Sequence, residues 1–156
     1  MQVRPALLND AVLICEILRR SISELCEADH HTRDDILAPW LANKTPENVF
    51  KWIEAPSQLM LVAEIGNAMA GVGLATDEGE VLLNYVAPEF PFHGVSKALI
   101  SKLEEYLLFR KVAVARLVST ETARRFYAGR GYVAVGEGEI RRGGELSYPM
   151  EKPLVG

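Results

Sequence analysis

The sequence predicts an α+β fold: one mixed, mostly antiparallel central sheet with helices on both faces and a single βαβ crossover. Three observations lead there. The β-rich runs Leu59–Ile65 and Met69–Thr76 flank Gly66-Asn67, a pair that suits a short hairpin. A second turn at Asp77-Glu78-Gly79 leads into the apolar strand Glu80–Val86. After Pro88 the apolar period changes, and Leu99, Leu103, Tyr106 and Leu107 recur at helical spacing before the β-rich run Ala113–Val118. Strand, helix and strand in that order form a right-handed crossover with a parallel pair. Hairpins dominate the first half, which separates this pattern from a doubly wound nucleotide-binding sheet.

The remaining elements follow in chain order. Val3–Leu7 reads as a short first strand, and Asn9 as the cap of a helix from Asp10 to about Leu25. Ile14, Leu18, Ile22 and Leu25 share one face of that helix. The polar stretch Glu27–Asp35 leads to a short helix around Asp34–Leu41, whose interior Pro39 weakens. Thr45-Pro46 is a cap followed by proline at the first helical position, and the helix it opens carries Val49, Phe50 and Ile53 up to Pro56. The helix after Pro88 runs to about Arg110. Thr120–Ala128 reads as a further helix stopped by Gly129 and Gly131. Tyr132–Val135 and Leu146–Met150 are final strands, parted by a Gly- and Arg-rich turn at Gly138–Gly144.

The chain has 156 residues, enough to bury a substantial core, and it shows no repeat or composition break; a single domain over 1–156 is expected. No apolar run approaches the ~20 residues of a membrane-spanning helix, and the start Met-Gln-Val-Arg-Pro lacks a signal peptide's basic and apolar regions. A cytoplasmic location is the resulting expectation. The net charge of −4 gives no global case for nucleic acid or an anionic membrane. Cys15 and Cys26 make neither a CxxC pair nor a disulfide framework. Adjacent His30 and His31 point in different directions, and no second cluster completes a coordination shell, so no metal is expected.

The chemically informative stretch is Leu82–Leu99. A strand ends, a loop follows, and Gly94 opens an amphipathic helix whose first-turn N–H groups are free for an anion. Gly94 and Ser96 are small at alternate positions, and His93 and Lys97 add basic side chains. The segment resembles the acyl-CoA pyrophosphate loop of the GNAT superfamily of N-acetyltransferases: Gln/Arg-x-x-Gly-x-Gly/Ala after a strand ending in Tyr-Val-x-Pro. Tyr85-Val86-Ala87-Pro88 and Gly94 match. Pro91 stands in place of Gln or Arg, which removes side-chain donors and a backbone N–H, and Ser96 replaces the last Gly or Ala. A second match lies downstream, where Thr120–Tyr132 resembles Asn-x-x-Ala-x-x-Phe-Tyr-x-x-x-Gly-Phe/Tyr, with Thr120 at the Asn position. The closing Met150–Leu154 also resembles family endings.

The resemblance implies a GNAT-like fold, acetyl-CoA as cosubstrate, an amine acceptor, and often a homodimer. It implies CoA contacts from Tyr85, Val86, Pro91, Phe92, His93, Gly94, Val95, Ser96, Lys97, Thr120, Ala123 and Phe126, with the strand at Tyr85-Val86 bulged to offer N–H groups to the acyl carbonyl. Tyr127 takes the position of the family's general acid, which protonates the departing thiolate; its other reading is a core aromatic beside Phe126. A lysine-like amine, with a pKa of ~10.4, must lose a proton before attack. Glu80 is the candidate base, acting through water, and its other reading is a solvated turn carboxylate beside Gly79. By the same resemblance Glu27–Asp35, with His30 and His31, overhangs the acceptor cleft. Trp40 and Trp52 suit the core or the cleft wall. A non-catalytic acyl-CoA-binding module stays open as an alternative; a nucleotide-binding regulatory domain lacks its motifs, GxxxxGK[ST] and GxGxxG.

Overall fold

The computed structural model describes residues 1–141 and 145–154. Strand β1 (Gln2–Pro5) is followed by a 3-10 turn at Leu8–Asp10 and helix α1 (Ala11–Leu25). Helices α2 (Glu27–His30), α3 (Asp34–Leu41) and α4 (Pro46–Glu54) precede strands β2 (Gln58–Ile65), β3 (Ala68–Thr76) and β4 (Glu80–Val86). Then come α5 (Val95–Phe109), β5 (Val114–Thr120), α6 (Arg124–Gly129) and the strands β6 (Val133–Ala134), β7 (Glu139–Arg141) and β8 (Glu145–Pro153). The strands form one sheet in the order β1-β2-β3-β4-β5-β8-β6, with β7 also paired to β8. Among the described residues only β4 and β5 pair in parallel; the other pairs are antiparallel.

Helices cover both faces. On one, Val95, Leu99, Ile100, Leu103 and Leu107 of α5 are almost fully buried, in a core that also takes Ala115 and Leu117 of β5 and Tyr127 of α6. Each such aliphatic side chain contributes ~1.5–3 kcal/mol by leaving water. Close approach of α5 depends on small residues in β3. A Cβ at Gly71 would lie 2.5 Å from Val95 Cγ1, and one at Gly73 would lie 3.1 Å from Leu103 Cδ1. The other face packs Ile14, Cys15, Ile17 and Leu18 of α1, with Val49 of α4, against Val62, Val72, Leu74 and Leu83 of the sheet. A third cluster joins Ile22 to Ile36 and Trp40 of α3, with Tyr85 against it.

The hairpin, the crossover and the helix at Thr45-Pro46 form as the sequence predicts, and the Thr45 side chain accepts the Asn48 N–H at 3.2 Å. Several boundaries differ for identifiable reasons. Asn9 does not cap α1. Asp10 instead ends a 3-10 turn, where its carboxylate accepts the Leu7 N–H at 2.8 Å and pairs with Arg4, so the helix begins at Ala11. Leu25 is exposed, and the buried face of α1 ends at Ile22. Thr120 is not helical: it still pairs with Ser147 in the β5–β8 ladder, and α6 starts four residues later. The polar stretch after α1 contains a helical turn, α2. The Gly138–Gly144 turn contains β7, while 142–144 lie outside the described residues. Among the described residues no helix is long and apolar enough to cross a membrane.

Candidate active site

The sheet is split at its centre. Strand β4 meets β5 at only two rungs, Glu80↔Arg116 and Val81↔Leu117, whereas β5 stays paired to β8 along its whole length. Beyond Val81 the two strands part. A bulge contributes, because the consecutive β3 residues Leu74 and Ala75 face Leu83 and Val81, leaving Leu82 as an extra residue in β4. Bulges bend a strand and re-aim the side chains that follow. Val81 therefore joins the α5 core while Leu83 joins the α1 core. Asn84, opposite Gly73, comes to the α5 face; Tyr85, opposite Val72, comes to the α1 face.

Two cavities open along the split and share the walls Val81, Leu82, Tyr85 and Leu117–Thr120. The smaller, of about 240 Å³, lies between Asp29 and Cys26 on one side and Ser96 and Tyr127 on the other. The larger, of about 460 Å³, is lined by Trp40, Glu80, Arg116, Ser147 and Glu151. Trp40 is fully buried at the seam, where its indole N–H donates to the Tyr85 hydroxyl at 3.2 Å.

At one end of the split, α5 begins. Gly94 has φ +75°, a left-handed conformation that suits glycine, and a Cβ there would project into open space. The first intrahelical bond runs from the Ala98 N–H to the Gly94 carbonyl, so the N–H groups of Val95, Ser96 and Lys97 have no helical acceptor. The helix holds no acidic residue in its first turn. Buried Val95 seats the turn on Gly71, and the Asn84 amide reaches the Ser96 carbonyl at 3.5 Å. Pro91, Phe92 and His93 are exposed on the approach, and the His93 Nδ1–H donates to the Pro91 carbonyl at 2.8 Å. Lys97 is exposed beside them.

Tyr127 projects from α6 into the smaller cavity. Its ring packs edge-on against Phe126 at 5.1 Å and Tyr132 at 5.6 Å between centroids. Burial pushes its hydroxyl up to about 12, with the Asn84 side chain drawing it part of the way back. The ring is a core aromatic beside Phe126, and its hydroxyl keeps its proton through neutral pH. Thr120 Oγ1 accepts the Ala123 N–H at 3.2 Å, and this bond shapes the turn that carries α6 under the split.

Glu80 lies elsewhere: it heads β4, exposed, in the larger cavity, with Arg116 and Glu151 in register on the neighbouring strands. The cleft assignment of His30 needs correction. His30 is fully buried, its Nε2–H donates to the Ile22 and Ser23 carbonyls at 3.0 and 3.2 Å, and its Nδ1 accepts the Thr32 N–H at 2.9 Å. It ties α2 to the end of α1. Within the same polar stretch it is Asp29 that lines the smaller cavity, together with Asn84, and neither residue has a role of its own in the sequence pattern. A lone polar residue in the apolar run Leu82–Val86 was the available signal for Asn84.

A centrally split sheet, a helix start with free N–H groups and a buried phenol meet around the smaller cavity. The chain belongs to the acetyltransferase (GNAT) domain family, whose model matches residues 27–154. Membership makes the chain an acyltransferase domain. A GCN5-related N-acetyltransferase from Rhodopseudomonas palustris superposes with a TM-score of 0.85 at 25% identity, covering 97% of this chain and 94% of that one. The PaiA N-acetyltransferase of Thermoplasma acidophilum, solved in complex with coenzyme A, gives 0.78 at 18% identity over 97% and 98%. The ribosomal-protein-alanine N-acetyltransferase of Brucella melitensis gives 0.75 at 19% over 98% and 99%. No curated protein matches the chain.

Proposed function

We propose that the chain transfers the acetyl group of acetyl-CoA to a primary amine by direct attack on the thioester. The observation that carries this reading is the parting of β4 and β5 after two rungs, between the free N–H groups of α5 and the Tyr127 hydroxyl. Unpaired main-chain groups on the β4 edge suit the amides of the pantetheine arm. The α5 start suits the pyrophosphate, with Gly94, Val95, Ser96 and Lys97 supplying backbone N–H groups and Lys97 a charge. Pro91 supplies no N–H, so Phe92 and His93 are the other loop contacts. Thr120, Ala123 and Phe126 flank the arm.

In the reaction, the neutral amine attacks the acyl carbon and its C–N bond forms as the carbonyl oxygen gains charge. The regular pairing of Leu83–Val86 with β3 leaves no bulge at Tyr85-Val86, and the Val86 N–H, turned away from β3, is the one proposed to stabilise that oxygen. The C–S bond then breaks. The proton released by the new ammonium balances the one gained by the departing thiolate, and Tyr127 is the donor facing the sulfur. A phenol at about 12 holds its proton throughout the working range, so its part is to donate to the sulfur as charge develops. Glu80, through water, is the proposed acceptor of the amine proton. Thiol release from acetyl-CoA, read over a panel of primary amines, tests this function. Release with at least one amine is expected; CoA binding with no release over a broad panel returns the chain to a binding module.

A further inference from the structure

Among the described residues two buried side-chain oxygens have no hydrogen-bond partner, Asp29 Oδ2 and Asn84 Oδ1, and both residues line the smaller cavity. Asp29 is more than nine-tenths buried. Its other oxygen, Oδ1, accepts the Thr122 N–H at 3.0 Å, so the carboxylate is anchored across the split, from α2 to the turn before α6. The His30 bonds to the Ile22 and Ser23 carbonyls hold α2 in place and so set the aim of Asp29. Among the described residues no salt bridge involves Asp29. A buried carboxylate with one hydrogen bond and no cation is poorly compensated, a state that persists where a ligand supplies the missing charge. A donor-rich cation would satisfy both acceptors and compensate the charge of the carboxylate.

We propose that Asp29 is the residue that receives the acceptor's primary ammonium and positions its nitrogen beside Tyr127, with Asn84 Oδ1 accepting a second N–H; the nitrogen gives up one proton, through water to Glu80, before it attacks. The inference rests on the acetyl-transfer reading and deepens it by naming the substrate class: a compact cationic amine, excluding acceptors whose nitrogen carries no N–H. The larger cavity, with Glu80 and Glu151 on its wall, takes the body of the same molecule.

The test uses Asp29→Asn, which keeps an oxygen for the Thr122 N–H and removes the charge. Its melting temperature should equal or exceed that of the wild type; a fall of several degrees would make the charge structural and overturn the proposal. The probe is n-propylammonium chloride, added to free and CoA-loaded protein, with tetramethylammonium at equal ionic strength as the control lacking N–H donors. Propylammonium should stabilise the wild type, bind Asp29→Asn at least tenfold more weakly, and leave CoA affinity alike in the two proteins. Equal shifts in both proteins, no shift in either, or a selective loss of CoA affinity in the variant would overturn it. The last of these would assign Oδ2 to the coenzyme arm. Failure of the wild type to bind CoA would instead defeat the acetyl-transfer reading, with the amine titration of the free protein still deciding Asp29.

Discussion

Tyr127 and His30 show how burial sorts two polar aromatic side chains into different work. Both are almost inaccessible to solvent. His30 spends both ring nitrogens on backbone groups, so its imidazole is committed to holding α2 on α1. Tyr127 has its hydroxyl at a cavity wall. Tyr127→Phe keeps the ring contacts and deletes the donor, so kcat should fall about 100- to 10,000-fold with coenzyme affinity nearly unchanged. Steady-state kinetics beside a coenzyme titration would check this, and parallel losses of affinity and stability would make the ring purely structural. His30→Ala should behave in the opposite way. It leaves buried carbonyls without their donor, worth roughly 1–3 kcal/mol, and denaturant melts should show that loss. A change in acceptor KM at full stability would return His30 to the cleft.

At the scale of elements, period and punctuation made most of the fold legible. Apolar runs bounded by turn pairs mark β2, β3 and β4, and the spacing Leu99, Leu103, Leu107 marks α5. The α5 start was legible too, because Gly94 stands between a strand end and an apolar helical stripe. The split was not. It arises from a β4 bulge opposite Leu74 and Ala75 and from β5 keeping its pairing with β8, and both are features of register between strands distant in sequence. The aim of Asp29 and Asn84 was hidden for the same reason. Gly94→Ile tests the element most simply. The φ of +75° is costly for a β-branched residue, and the new side chain enters the space before the free N–H groups. Coenzyme affinity should drop at least tenfold by calorimetry; an unchanged affinity would place the pyrophosphate elsewhere.

Across the whole molecule, phenols drawn wholly or partly out of water link stability to pH. Burial raises Tyr127 to about 12, and burial with a hydrogen bond to Asp77 raises Tyr106 to about 12, both from an ordinary 10.0. Burial and the charge of Glu104 raise Tyr132 as well. Between the ordinary and the raised values the unfolded chain has released protons that the folded chain still holds. The stability from these groups is therefore complete below about pH 10 and is lost as pH climbs toward 12. Urea midpoints should hold through neutral pH and decline above about pH 10, and a level profile to pH 11 would count against the burial of these hydroxyls. The same core joins residues of α5 and α6 to Val81 of β4 and Ala115 and Leu117 of β5, beside the split.

The central claim is that this split receives the coenzyme, and amide chemical shifts during a CoA titration test it most directly. The account predicts that saturable changes concentrate at Leu83–Val86, at Gly94–Lys97 and at Ser119–Ala123, while the outer strand β1 and helix α4 stay still. Changes confined to other surfaces, or none at all at saturating CoA, would contradict it.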